Sequence, residues 1–316
     1  MSAYLDALAS GDPLLTDGGI ETRVMFESDY EMDPDLQVAA MLADQPGREL
    51  LGSIYSSYVR AGRDRGLPVV IGTPTFRASS NFAARAGVDA AGLAAMNADA
   101  VALHRGFRDE PDNGPVFIAG VLGPSGDAYL PGESSNATSA AAYHRPQAEA
   151  LAGAGADFLF AATFPAVDEA AGAGRAMAAT GLPYVISFVL GPEGDVLDGT
   201  RLAAAVERLD SELPEPPATY SISCVHPSVA ARAMERTRAA GNDAVARVGE
   251  LKANGSPLPT DRLIALGHAE ADPPEVLAEE IWALYEPTGL RVLGGCCGTT
   301  DAHMRALASL MAGDAG

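Results

Sequence analysis

Eight short apolar runs rich in β-branched residues recur along the chain, separated by alanine-rich stretches of helical character. No other feature limits the fold as much, because strands alternating with helices mark βα units around a parallel sheet whose strands are covered on both faces. The runs are Leu14 to Asp17, Pro68 to Thr73, Pro115 to Leu122, Asp157 to Thr163, Pro183 to Leu190, Thr219 to Cys224, Ala246 to Ala253 and Leu290 to Cys296. Eight units in 316 residues fit a single-domain α/β (β/α)8 TIM barrel over residues 1–316; a doubly wound sheet would use fewer strands and a glycine-rich first turn. Between the runs, Asp272 to Tyr285 reads as a helix that Asp272 can cap, with Pro273 and Pro274 in its first turn and Leu277, Ile281 and Leu284 on one face. The last helix starts at Thr300 and repeats Met304, Leu307 and Leu310.

Charge removes several function classes. The chain carries 21 basic against 42 acidic residues, a formal net charge of −21, and Lys252 is its one lysine. The basic residues are almost all arginines scattered singly, and no run of them is dense enough to make a patch, which disfavours nucleic acid or an anionic membrane as a partner. The N-terminal Met1 to Pro13 lacks a basic region followed by an apolar one, and nowhere do eighteen apolar residues run together. Three cysteines cannot complete a disulfide framework. A reducing, cytoplasmic location is expected.

In a (β/α)8 barrel the active site gathers at the carboxyl ends of the strands. All three cysteines fall there: Cys224 closes the sixth run, while Cys296 and Cys297 close the eighth within Gly294-Gly295-Cys296-Cys297-Gly298. Strands six and eight flank strand seven, so their ends can converge on one ion. Adjacent side chains reach one centre only if the backbone leaves strand geometry, which the flanking glycines permit. Three thiolates around Zn2+ leave one corner of a tetrahedron open, the mark of a catalytic rather than a structural site.

Asp17-Gly18-Gly19, Thr73-Pro74-Thr75-Phe76, Gly120-Val121-Leu122-Gly123-Pro124, the Cys224 strand and Gly294-Gly295-Cys296-Cys297-Gly298-Thr299 occur in an order that resembles the homocysteine S-methyltransferase family. The resemblance implies that Cys224, Cys296 and Cys297 bind zinc and that the thiol of homocysteine takes the fourth place. A methyl group would then move to that sulfur from a small onium donor of the S-methylmethionine, S-adenosylmethionine or betaine type. It implies that Asp17 binds the acceptor's amino group, that the backbone at Gly18 and Gly19 meets its carboxylate or lines its path together with Thr75 and Phe76, and that Asn254 stands near the metal, behind its ligands or facing the substrate. Phe76, Phe164 and one of Phe26 or Tyr30 are candidates to hold the cationic donor through their ring faces. The only tryptophan, Trp282, reads as scaffold.

Departures concern the acceptor. Ala162 stands where the family has a glutamate that grips the amine, Pro74 replaces an asparagine, and Ser223 replaces the asparagine before the zinc cysteine. Glu21 is a candidate for the lost carboxylate, against its reading as a solvated first-helix residue. His226, two residues past Cys224, opens the next turn; His104, His144, His268 and His303 are expected in solvated or capping roles. Three rivals remain: transfer to another thiol or selenol, a non-catalytic zinc or redox-sensing barrel, and a lyase or aldolase. The last requires a strand-end lysine, for which Lys252 is the only candidate; if metal chemistry governs, Lys252 is dispensable.

Overall fold

The computed structural model describes residues 2–313, so Met1 and the last three residues of the expected 1–316 unit lie outside the described residues. Eight parallel strands close into one barrel in sequence order: β1 (Leu14–Thr16), β2 (Val69–Gly72), β3 (Val116–Leu122), β4 (Phe158–Phe164), β5 (Tyr184–Phe188), β6 (Thr219–Val225), β7 (Val248–Ala253) and β8 (Val292–Gly295). Closure is made by β8 on β1, with Leu14 opposite Val292 and Leu15 opposite Leu293. Each expected run holds one strand, with β4 and β6 each ending one residue past theirs. The seventh starts two residues late because Asp243–Arg247 forms a 3-10 turn.

Period-two alternation divides the core into two compartments. Val70, Phe117, Ala119, Phe158, Phe160, Val185 and Val292 pack inside the barrel. Their neighbours Val69, Ile71, Ile118, Leu159, Ile186 and Leu293 pack outward beneath the helices. The amino end of the barrel is closed by the helix Ala3–Ser10, whose Tyr4 ring is fully buried, stacked on Phe158 at 3.8 Å and edge-on to Phe117 at 5.8 Å. Burying a ring of this size stabilises the floor by about 1.5–3 kcal/mol. Among the described residues, the cleft of the barrel lies at its carboxyl end.

The expected helix over 272–285 is two: Pro274–Trp282 and Tyr285–Thr288, the second ending at Gly289 with φ 80°. Asp272 does not cap the first, where Pro273 takes that position; its carboxylate instead meets His226 Nε2 at 3.0 Å. Thr300 does cap Asp301–Met311, accepting from the amide of Ala302 at 3.3 Å. Trp282 is half-buried, stacked on Tyr285 at 4.5 Å and packed against the outer core. Among the described residues no helix is long and apolar enough to cross a membrane.

Candidate metal centre and substrate cleft

The cysteines reach one point because two strand ends leave regular geometry. Along β6, Tyr220 and Ile222 belong to the outer core while Ser223 lines the cleft, so strict alternation would turn Cys224 outward and Val225 inward. The reverse occurs. Cys224 has φ 56°, the pairing register with β7 slips between Ser223 and Val225, Cys224 enters the cleft and Val225 joins the outer core. A left-handed non-glycine residue costs of order 1–3 kcal/mol and is kept where the surroundings determine it.

The same device at β4 decides another residue. Thr163 has φ 59° at a register slip between Ala161 and Phe164; Thr163 lines the cleft, and Phe164 is turned into the outer core with no exposed surface. Phe164, a candidate for the donor site, therefore packs near His144, with ring centroids 5.4 Å apart, and does not line the cleft.

At the end of β8 the Cys296 amide donates to Ala253 O at 2.7 Å, and its carbonyl accepts from Thr299 Oγ1 at 2.8 Å. The Cys297 carbonyl accepts from the amide of Gly255 at 2.9 Å, and Gly298 turns the chain with φ 80°. This tight turn requires glycine at 295, where a Cβ would lie 2.1 Å from Thr299 Oγ1. The result brings the sulfur atoms of Cys224, Cys296 and Cys297 all within 4.8 Å of one another. Tetrahedral sulfur ligands about 2.3 Å from zinc stand about 3.8 Å apart, so the donor set fits that ion.

Hydrogen bonds from the Cys296 and Cys297 thiols hold Cys224 well below the ordinary thiol range, and the same interaction with Cys224 pushes those two thiols up. Of the three thiols, that of Cys224 gives up its proton most readily. Two neighbours fix that sulfur: Tyr129 Oη donates to Cys224 Sγ at 3.0 Å and Asn254 Nδ2 at 3.7 Å. Tyr129 was not among the expected residues. It stands in the loop after β3, in a turn where Asp127 Oδ1 accepts from its amide at 2.7 Å; Gly126-Asp127 is the only local signal for that turn.

A cleft of about 300 Å³ opens over the cluster, lined among others by Gly18, Gly19, Met25, Phe76, Tyr129 and Ala162. Thr75 does not line it. Its hydroxyl donates to Val121 O at 2.7 Å, bracing β2 against β3 with no exposed surface. Neither Phe26, which is exposed, nor Tyr30, whose hydroxyl donates to Asp44 Oδ2, is among the lining residues. Glu21 does line the cleft, its carboxyl pushed up by burial and then by the nearby charges of Cys224 and Asp17.

At the floor, Asp17 Oδ2 accepts from the amide of Gly72 at 2.7 Å, and Oδ1 accepts from Lys252 Nζ. Burial works to lower the Lys252 pKa, but the charges of Asp17 and Glu250 outweigh it and hold the ammonium above its ordinary range. This pairing works against the neutral amine that a Schiff-base lysine needs. Glu250, 1% exposed, is pushed up to about 8, chiefly by burial.

His226 caps the helix Pro227–Ala239 through Nδ1, which accepts from the amide of Ser228 at 3.3 Å, and turns Nε2 toward Asp272 and Glu280 at 3.0 and 3.3 Å. His104 and His144 are not solvated, as expected from their helices, but fully buried; His303 completes the cap at Thr300.

The sequence profile described as Homocysteine S-methyltransferase matches residues 14–311. The homocysteine S-methyltransferase of Escherichia coli (strain K12) is 30% identical over 94% of each chain. Betaine–homocysteine S-methyltransferase 1 of Bos taurus is 25% identical over 99% of this chain and 75% of its own. Among solved structures, the oxidized form of the E. coli homocysteine methyltransferase MmuM superposes with a TM-score of 0.78 at 25% identity, covering 97% of this chain and 99% of that one. The metallated form of MmuM gives 0.77 at 24% identity over the same shares.

Proposed function

Because the chain belongs to the homocysteine S-methyltransferase family, we propose that it moves a methyl group from a small onium donor to the thiol of homocysteine, giving methionine, with zinc held by Cys224, Cys296 and Cys297. The observation that carries this reading is the convergence of three sulfur atoms from β6 and the end of β8 beneath an open cleft. A free thiol is only a few per cent ionised at neutral pH; zinc held by Cys224, Cys296 and Cys297 would supply the charge that keeps the acceptor sulfur deprotonated and in one place.

The chain's own groups do the rest. Tyr129 and Asn254 orient Cys224 through their hydrogen bonds to its sulfur. Gly18 and Gly19 let the acceptor approach the cysteine turn without side chains in its way. Phe76 and Tyr129 offer ring surface, and Met25 apolar surface, to a sulfonium or ammonium donor. The acceptor thiolate attacks the methyl carbon in line; the new S–C bond forms as the C–S or C–N bond to the onium centre breaks, and its electron pair stays on that centre. The leaving molecule is thereby neutralised at that atom, so the transfer needs no general acid. The free thiols and the absence of a disulfide framework suit a reducing cytoplasm.

The test is a screen of S-methylmethionine, S-adenosylmethionine and glycine betaine against homocysteine on zinc-loaded protein, read by product mass. Methionine from at least one donor is expected; its absence with all three would refute the reading.

A further inference from the structure

The chain has 21 basic residues and uses lysine once. That lysine stands inside the barrel. Lys252 of β7 is in register with Ser223 of β6 and Gly294 of β8, one residue below Cys224 on one side and two below Cys296 on the other. Neighbouring strands are about 4.8 Å apart, so a ligand whose sulfur sits at the cysteines needs only a few bonds to bring a second group to Nζ.

Lys252 Nζ donates to Thr16 Oγ1 at 3.0 Å and to Asp17 Oδ1. An ammonium has three donors, which leaves one for a ligand. The side chain is 14% exposed and lines the cleft. Arg77, the other cation there, lies over the Phe82 ring at 4.9 Å. The site that should receive an acceptor's ammonium is altered twice. Asp17 is neutralised by Lys252 and 4% exposed, and Ala162 supplies no second carboxylate.

We infer that Lys252 determines acceptor specificity by taking the acceptor's carboxylate, and that the substrate class is a short thiol carboxylate in which an α-ammonium group is dispensable. This rests on the thiol-methylating reading and narrows it: homocysteine qualifies through its carboxylate. Lys252 is then not dispensable. Elsewhere the chain uses arginine for its basic side chains, and here it keeps the compact point charge that fits a single oxygen on each side.

Three acceptors isolate the groups: homocysteine, 4-mercaptobutanoate, which lacks the amine, and 3-aminopropanethiol, which lacks the carboxylate. Wild-type protein should accept the first two with kcat/KM within about threefold and the third at least about tenfold more weakly, the loss expected for one charged hydrogen bond. In Lys252→Met the advantage of 4-mercaptobutanoate over 3-aminopropanethiol should disappear. The variant Asp17→Asn/Lys252→Met removes both charges and keeps the comparison available if the single change unfolds the barrel. Dissociation constants of the same thiols on zinc-loaded protein, by calorimetry, should follow the same order.

The inference is overturned if 3-aminopropanethiol matches homocysteine while 4-mercaptobutanoate fails, or if Lys252→Met weakens all three equally. No turnover with any thiol, alongside carboxylate-dependent binding lost in Lys252→Met, would instead refute methyl transfer and keep the carboxylate site.

Discussion

Glu250→Gln tests the electrostatics of the cleft floor. In the folded chain the Glu250 carboxyl is 1% exposed, Oε2 has no hydrogen-bond partner, and its pKa is about 8 against an ordinary 4.5. Burial is the main cause; Lys252 lowers the value and Asp17 raises it. The folded pKa lies above the unfolded one, so the folded chain keeps a proton that the unfolded chain releases. Stability from this group is therefore fully present below pH 4.5 and is lost as pH rises to about 8. At pH 7 the gap from 4.5 corresponds to about 3 kcal/mol, and at pH 5 to about 1 kcal/mol or less. Glutamine keeps the shape and the neutral state and has no proton to lose from the unfolded chain. Glu250→Gln should then be more stable than wild type by an amount that grows with pH, reaching roughly 5 °C or more in Tm at pH 7. The assay is urea and thermal unfolding of both proteins from pH 5 to 8, where their difference cancels the general effect of the acidic surface. A difference that stays constant over this range would refute the reasoning, because it would mean that Glu250 ionises in the barrel as it does in water.

Two further outcomes follow from the cysteine turn. Gly295→Ala places a Cβ against Thr299 Oγ1, the atom that donates to Cys296 O and accepts from the amide of Gly19 at 3.1 Å; overpacking should cost about 1–3 kcal/mol and weaken zinc in a chelator competition although no ligand atom has changed, and unaltered affinity would contradict the geometry. With the Cys224 thiol lowered and the other two raised, zinc uptake should release protons, so apparent affinity should climb with pH; uptake that releases no proton, read by calorimetry in buffers of different ionisation enthalpy, would contradict thiolate ligation.

The barrel was legible because its signal is local and repeated: each apolar run needed only its own composition to be placed, and the three cysteines needed only their distance from a strand end. The finer site was not, because it depends on where the backbone breaks alternation. Counting by twos from Phe160 sends Phe164 into the barrel, and nothing in Thr163 itself announces φ 59°. The same count turns Cys224 away from the metal, and only the three-dimensional frame of β6 against β7 turns it back. Tyr129 lies in an irregular loop with no period to read. The Lys252–Asp17 pair joins residues 235 positions apart, which become neighbours only when β8 closes on β1. His226 and Asp272 likewise meet across 46 positions, which is why a sequence reading assigned Asp272 to a helix cap.

The central claim, a metal held by three sulfurs at the mouth of the barrel, is tested most directly by zinc content. It is to be measured together with methionine formation, on wild-type protein and on Cys224→Ser and Cys297→Ser variants of intact fold. The account predicts about one zinc per wild-type chain and loss of both metal and turnover in each variant. A variant that forms methionine at the wild-type rate without zinc would contradict it.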